Sequence, residues 1–170
     1  MKRILFLLTA LALSAGVSGP LMAQGSPFVG SWKLNTEKSK STGVSIPKSL
    51  DRTVEADGAG LKYAYKGTSG EGKPIEYSFS TKFDGKASPV NGAGAPGGAD
   101  SLTLQRVSDS KTSAVLSKGG KEVGKSTAEV SKDGKVTTIT ATGKTPRADE
   151  SAGQTGSAEG WGRRAPTYRG

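Results

Sequence analysis

The chain has 170 residues, with 24 Lys and Arg against 15 Asp and Glu, and it carries a formal net charge of +9. It contains neither cysteine nor histidine, which excludes disulfide bonds, zinc sites built on those residues, and Ser-His-Asp or Cys-His catalysis. The length suits one domain. The lysines are dispersed through the predicted turns, where they oppose edge-to-edge association of sheets, so we expect no nucleic acid partner.

The first 23 residues have the three parts of a secretory signal peptide. Lys2 and Arg3 form a basic start, residues 4–13 form an apolar stretch, and residues 21–23 end in a small residue suited to cleavage. The alternative, retention as an anchor, is disfavoured because the apolar stretch falls short of the about 20 residues that a membrane-spanning helix needs. We therefore expect cleavage after Ala23 and an exported protein, either periplasmic or extracellular.

Residues 28–35 alternate between an apolar and a polar face, which is typical of a strand with one buried side. A Gly-x-Trp strand at the head of a run of hairpins predicts a small antiparallel β-barrel, in which Gly30 and Trp32 have structural roles. The polar connection over residues 36–48 is too long for a hairpin turn. It is expected to cross one end of the barrel or to form a short helical lid. The inward phase of the first strand holds Phe28, Gly30, Trp32 and Leu34.

From residue 50 onward, strand patterns and turn signals alternate. The clearest alternation spans residues 74–83, and Asp84-Gly85 after it is typical of a two-residue hairpin turn. The Gly-rich residues 92–99 predict a mobile loop that packs little. Turn counting gives about nine strands, connected as an up-and-down antiparallel β-barrel. The strand candidates after the first are 50–56, 61–65, 74–83, 87–91, 101–107, 112–117, 122–131 and 136–142.

The C-terminal segment, residues 144–170, lacks any strand pattern. It holds mostly Gly, Ala, Ser, Thr, Pro and charged residues, with Trp161 and Tyr168 as its large apolar side chains. Such a composition buries too little surface to offset the entropy lost on ordering. We expect a signal peptide over 1–23, a β-barrel domain over 24–143 and a disordered tail over 144–170. Without a further strand after residue 142, two alternatives stay open: the remaining strands close the barrel, or an edge beside the first strand stays unpaired.

Several motifs in order resemble those of small secreted bacterial lipocalin-like proteins of uncharacterised function, which belong with lipocalins and fatty-acid-binding proteins among the calycins. The resemblance implies a calycin-like barrel with an interior for a ligand, and an arginine, Arg106, stacked on the indole of Trp32. The carboxylate clamp of fatty-acid-binding proteins is not carried over, because Tyr168-Arg169 does not match it. The matching segments are 30–35, 38–40, 72–77, 83–86, 102–106 and 131–135.

Aromatic and arginine side chains on the inward phases are the candidates for a ligand site. Aromatic rings and tyrosine hydroxyls are typical of small-molecule pockets, although the interior of a barrel of about eight strands has barely more room than its own side chains fill. An arginine on an apolar face needs an anion, a carbonyl or an aromatic partner, or it extends to the rim. The candidate ligand-binding residues are Tyr63, Tyr65, Tyr77, Phe79, Arg52 and Arg106.

These observations favour non-covalent binding of a small apolar or amphipathic molecule in the cell envelope by a monomer. Arg52 or Arg106 would pair with any acidic group of that molecule. We expect no enzymatic activity, no cofactor and no metal, because the common bases and nucleophile partners are missing. The alternative is a filled barrel whose basic surface makes weak contacts with anionic lipid or polymer, or with a protein partner. A cavity smaller than about 300 Å³ would exclude the ligand hypothesis.

Overall fold

The computed structural model describes residues 25–42, 45–143 and, as backbone, the strand over 154–163. Within this part of the chain the fold is all-β, as predicted, with a single 3₁₀ turn at Pro96–Gly98 and no α-helix. No helix among these residues has the length and apolarity needed to cross a membrane. The predicted signal peptide, residues 1–23, lies outside the described residues. The strands are β1 (Gly30–Leu34), β2 (Ser39–Ser41), β3 (Ser49–Asp57), β4 (Gly60–Thr68), β5 (Pro74–Thr81), β6 (Ala87–Pro89), β7 (Asn91–Ala93), β8 (Ser101–Ser108), β9 (Lys111–Lys118), β10 (Lys121–Val130), β11 (Val136–Gly143) and β12 (Gln154–Arg163).

All strand pairs are antiparallel, and most join strands that are consecutive in the sequence. The pairing follows the path β6-β8-β9-β10-β11-β12-β1-β3-β4-β5-β7, and β2 pairs with β12 beside that path. Two arms, β8–β11 and β3–β5, are thus joined through β12 and β1. The path ends in β6 and β7, two strands of three residues that are not paired with each other. The antiparallel all-β arrangement is as predicted. The prediction of a closed β-barrel is wrong for the described residues, and of the two alternatives the incompletely closed sheet is the one found.

Strand β12 lies between β11 and β1, where the sequence predicted no strand. Gln154 is the register partner of Gly143 in β11, and Trp161 is the partner of Leu34 in β1. The prediction that residues 144–170 are disordered is therefore wrong for residues 154–163. Composition argued against side-chain burial there, but a strand between two others satisfies its main-chain donors and acceptors whatever its side chains. The open end of the sheet is consequently at β6 and β7, and not beside β1.

The core lies between the two arms of the sheet. Trp32 is 1% exposed, and its Nε1–H donates a hydrogen bond to the carbonyl oxygen of Phe28 at 2.9 Å. Gly30 has φ +137°, a backbone conformation that L side chains rarely adopt. The opening strand thus packs its indole inward at a position fixed by a local hydrogen bond. The other buried apolar residues of this core are Phe28, Leu34, Val54, Leu61, Tyr63, Phe79, Leu102, Leu104 and Val130.

The Gly-rich segment 92–99, predicted to pack little, is packed against the sheet. Ala95 and Ala99 within it are both buried. Its end is held by Asp100, whose carboxylate accepts a hydrogen bond from the Gly119 backbone N–H at 2.7 Å. The prediction failed because small side chains permit close approach: a Cβ on Gly97 would lie only 3.0 Å from the Val123 side chain. The glycines of this segment therefore allow tight packing in addition to the turn.

Candidate functional site

A cavity of about 490 Å³ lies between the two arms of the sheet. It is bounded on one side by β3, β4 and β5, on the other by β8 to β11, and at one end by Pro96 and Gly97 of the packed Gly-rich segment. Its volume is above the lower end of the range for small-molecule sites, about 300–1,000 Å³. Five of the six residues predicted to bind a ligand line it: Arg52, Tyr63, Tyr65, Tyr77 and Phe79.

One wall of the cavity is aromatic and follows the register of β4 and β5. Tyr65 and Tyr77 are register partners whose rings stack with centroids 4.5 Å apart, at 11° between planes. Tyr63 and Phe79, the next inward pair, stack at 4.8 Å and 16°. Each pair uses one face of each ring, so the remaining ring surface contributes apolar area to the cavity wall.

The opposite wall contains a patch of small side chains, and this patch contributes to the free volume. Ala114 of β9, Ser126 of β10 and Ala141 of β11 form one cross-strand row. Gly124 and Gly143 are partners in the neighbouring row. All five residues line the cavity, beside the larger Leu102, Leu104, Leu116, Val123 and Ile139. Where the small side chains face the cavity, no bulky group fills the space in front of them.

Arg52 places a guanidinium in this otherwise apolar site. The residue is 2% exposed, and its guanidinium carbon lies 5.3 Å from the centroid of the Trp32 ring. It also donates a hydrogen bond to the hydroxyl of Tyr65. The resemblance implied that Arg106 would stack on the Trp32 indole. That expectation is corrected: Arg52 does so, because β3 is the neighbour of β1 and Arg52 is the register partner of Trp32.

Arg106 lies outside the lining that the other five predicted residues share, although its positive charge acts on Tyr63. Its guanidinium carbon lies 4.8 Å from the centroid of the Phe83 ring, and the residues that line the cavity do not include it. Phe83 has φ +58° and is the one non-glycine residue with a positive φ in the described ranges. The predicted strand 74–83 accordingly ends at Thr81, and the Phe83 ring is turned to lie under the arginine.

The tyrosines of the cavity stay in their neutral, hydrogen-bonding form over the physiological pH range. Burial raises the pKa of Tyr63, Tyr65 and Tyr77 above the ordinary value of 10.0, and the positive charge of Arg52 offsets only part of that rise. A neutral phenol both donates and accepts hydrogen bonds. The site therefore offers hydroxyl groups and one guanidinium to a polar group within an apolar enclosure.

The patch of small side chains was missed by the sequence analysis, although a signal for it exists. Gly124, Ser126 and Ala128 alternate along the inward phase of β10, and Ala141 and Gly143 follow Ile139 on the inward phase of β11. Consecutive inward positions with small side chains, facing strands with large aromatic ones, favour free space in the core. The large aromatic residues alone do not reveal this space.

The charged side chains around the cavity are basic. Among the described residues that line it are two cations, Arg52 and Lys125, and no Asp or Glu. Across the described ranges, no three His, Cys, Asp or Glu residues are grouped so that they could hold a metal ion. No protein-family model, curated protein or solved structure matches the chain.

Proposed function

We propose that this chain is a non-covalent binding protein for a small apolar or amphipathic molecule. The observation that carries the proposal is the cavity of about 490 Å³, enclosed by an aromatic and an aliphatic wall and supplied with a few convergent polar groups. This combination is the usual make-up of small-molecule sites. Transfer of ligand surface from water to these walls contributes about 25 cal/mol per Å² of apolar area buried.

The cavity also separates this proposal from the alternative of a filled scaffold with a basic surface. A filled scaffold would have side chains from the two arms in contact across the core, with no space of ligand size. Some core residues, among them Trp32 and Leu61, lie outside the lining, whereas others, such as Tyr63 and Phe79, pack the core and also line the cavity. The same sheet thus supplies a packed core and, beside it, a space of ligand size.

The finer fold assignment and the location belong to the same proposal. Kinship with the calycins, as an open variant of their sheet, is supported by the Gly-x-Trp strand β1 lying beside β12 and by the consecutive antiparallel pairing within each arm. Export to the periplasm or the exterior is supported by the signal-like pattern of residues 1–23. The protein would act as a monomer that holds or transports its ligand in the cell envelope.

Native mass spectrometry of protein purified from the periplasm of the producing cell tests this function. We expect a fraction of the protein to retain a lipid-sized mass that is released on denaturation. Purified protein should also take up the uncharged fluorophore N-phenyl-1-naphthylamine, with an increase in its emission. A bare polypeptide that takes up no fluorophore would contradict the proposal.

A further inference from the structure

The polar groups of the cavity wall formed by β3, β4 and β5 lie in one cross-strand row. Arg52 of β3 is the register partner of Tyr65 in β4, and Tyr65 is the partner of Tyr77 in β5. All three residues line the cavity. This polar row lies near the middle of the strands, since β3 begins three residues before Arg52 and ends five residues after it.

Apolar rows lie on both sides of the polar row. Toward the start of β3, the upper row joins Leu50, Gly67 and Ile75. Toward the end of β3, the lower row joins Val54, Tyr63 and Phe79. The Tyr63 hydroxyl is the one polar side-chain group of these three residues. Neighbouring rows are two residues apart, or about 7 Å along a strand. Leu50 and Ile75 of the upper row and Tyr63 and Phe79 of the lower row all line the cavity.

The opposite wall arranges its polar groups differently. The small-residue row of Ala114, Ser126 and Ala141 continues into Leu104 of β8, and Ser126 is the one polar side chain of that row. Thr112, and Lys125 with its register partner Thr142, line the cavity outside this row. The row that joins a guanidinium to two phenol groups is thus on the wall formed by β3, β4 and β5, at the middle of its height. A ligand with a terminal polar group on Arg52 would cover the upper or the lower apolar row, but not both.

We propose that the cavity selects a molecule whose hydrogen-bond-accepting group lies between two apolar parts, such as a mid-chain ester or ketone. The inference rests on the proposed function and names the ligand class of the same site. The polar row presents donors, because a guanidinium carries N–H groups only and each neutral phenol carries one O–H. An uncharged carbonyl oxygen suits it, since the charge of Arg52 already interacts with the Trp32 ring and the Tyr65 hydroxyl.

Three isomers of identical formula test the position of the polar group: hexyl hexanoate, methyl undecanoate and dodecanoic acid. Each would be titrated into the full-length protein loaded with N-phenyl-1-naphthylamine, and displacement would be followed by the loss of emission. We expect hexyl hexanoate to displace the fluorophore at about tenfold lower concentration than either isomer, because tenfold corresponds to about one net hydrogen bond.

Variants of the polar row show whether it is the cause of the preference. Tyr77→Phe keeps the ring that stacks on Tyr65 and removes the hydroxyl, so the fold should be retained. It should reduce the preference for hexyl hexanoate to less than about threefold. Glu76→Gln, on the outward and exposed face of the same strand, is the matched control and should leave the preference unchanged.

Each outcome decides the inference. Equal displacement by the three isomers, or stronger displacement by dodecanoic acid or methyl undecanoate, would overturn the mid-chain assignment and leave the proposed function standing. A preference that survives Tyr77→Phe would remove the polar row as its cause. If neither the fluorophore nor any isomer binds, the proposed function fails, and the ligand class fails with it.

Discussion

The guanidinium carbon of Arg52 lies 5.3 Å from the centroid of the Trp32 indole, and the two residues are register partners across β3 and β1. Trp32 thereby lies between the core and the cavity. One part of the indole is held by the hydrogen bond from Nε1 to the Phe28 carbonyl, while its ring supports the only arginine of the cavity wall. Packing at the start of the sheet and the polar group of the site are coupled through this contact.

Replacing the indole should destabilise the fold. Trp32→Phe removes the Nε1–H donor, leaves the buried Phe28 carbonyl without that hydrogen bond, and reduces the ring volume in the core. We expect the free energy of unfolding to fall by about 3 kcal/mol, measured by urea denaturation followed by circular dichroism. Val107→Ala, at a position 58% exposed, is the control and should change it by less than about 0.5 kcal/mol. Equal effects of the two substitutions would argue against the packing role of Trp32.

Filling the cavity should weaken ligand binding without lowering the free energy of unfolding. Ala114 lies in the patch of small side chains, and Ala114→Leu would place extra methyl groups in the free volume. We expect uptake of N-phenyl-1-naphthylamine to weaken at least about tenfold, while the free energy of unfolding is unchanged or raised, because the new surface is buried in empty space.

The same substitution on the other face of the sheet is the matched control. Ala64 of β4 is exposed, and its register partners Thr53 and Ser78 are on the outward phase. Ala64→Leu should leave fluorophore uptake as in the original chain. If Ala114→Leu binds as well as Ala64→Leu, the fluorophore is not in this cavity.

Local alternation predicted most of the strands, and the residues show why. Residues 50–56 and 74–83 alternate cleanly, and strands β3 and β5 occupy nearly those ranges. The five predicted residues that line the cavity all lie on such alternating phases. Side-chain period along a strand depends on local geometry alone, so no knowledge of the partner strand is needed to predict which side chains share a face.

What depended on strand pairing could not be predicted in the same way. The arginine on the indole is Arg52 and not Arg106, because the neighbour of β1 is β3, a long-range relationship. Strand β12 is stabilised through main-chain pairing with β11, β1 and β2. Its sequence has few apolar residues, so no alternating pattern predicts this pairing. The cavity depends on which inward side chains of the two arms face each other, which appears only once both arms are placed.

The buried tyrosines should make the protein sensitive to alkali. Their pKa values are raised by burial in the folded chain, so the folded state keeps protons that the unfolded state loses near pH 10. Their contribution to stability is therefore complete below about pH 10 and is lost as the pH rises further. Each such tyrosine lowers the free energy of unfolding by up to about 1.4 kcal/mol per pH unit above that point.

Spectroscopy separates this effect from the titration of lysines. Three of the four tyrosines of the chain are the cavity tyrosines, so most tyrosinate absorbance should appear together with the loss of β circular dichroism as the pH is raised. Tyr65→Phe removes one of the titrating groups. The free energy of unfolding should therefore fall less steeply between pH 10 and 12. Tyrosinate absorbance that appears in full before any unfolding would contradict the burial of these hydroxyls.

A proline in β12 tests whether this strand holds the two arms of the sheet together. Ser157 is the register partner of Thr140 in β11 and of Lys40 in β2, so neighbouring strands lie on both of its sides. Ser157→Pro removes a main-chain donor, and a proline is tolerated at sheet edges but not between paired strands. We expect the free energy of unfolding to fall by at least about 2 kcal/mol, whereas Ser157→Ala, which keeps the donor, should change it by less than about 0.5 kcal/mol.

Because β11 also supplies Ile139 and Ala141 to the cavity wall, the proline variant should bind N-phenyl-1-naphthylamine more weakly as well. If the proline variant is as stable as the alanine variant and binds as well, the junction between the two arms does not depend on β12.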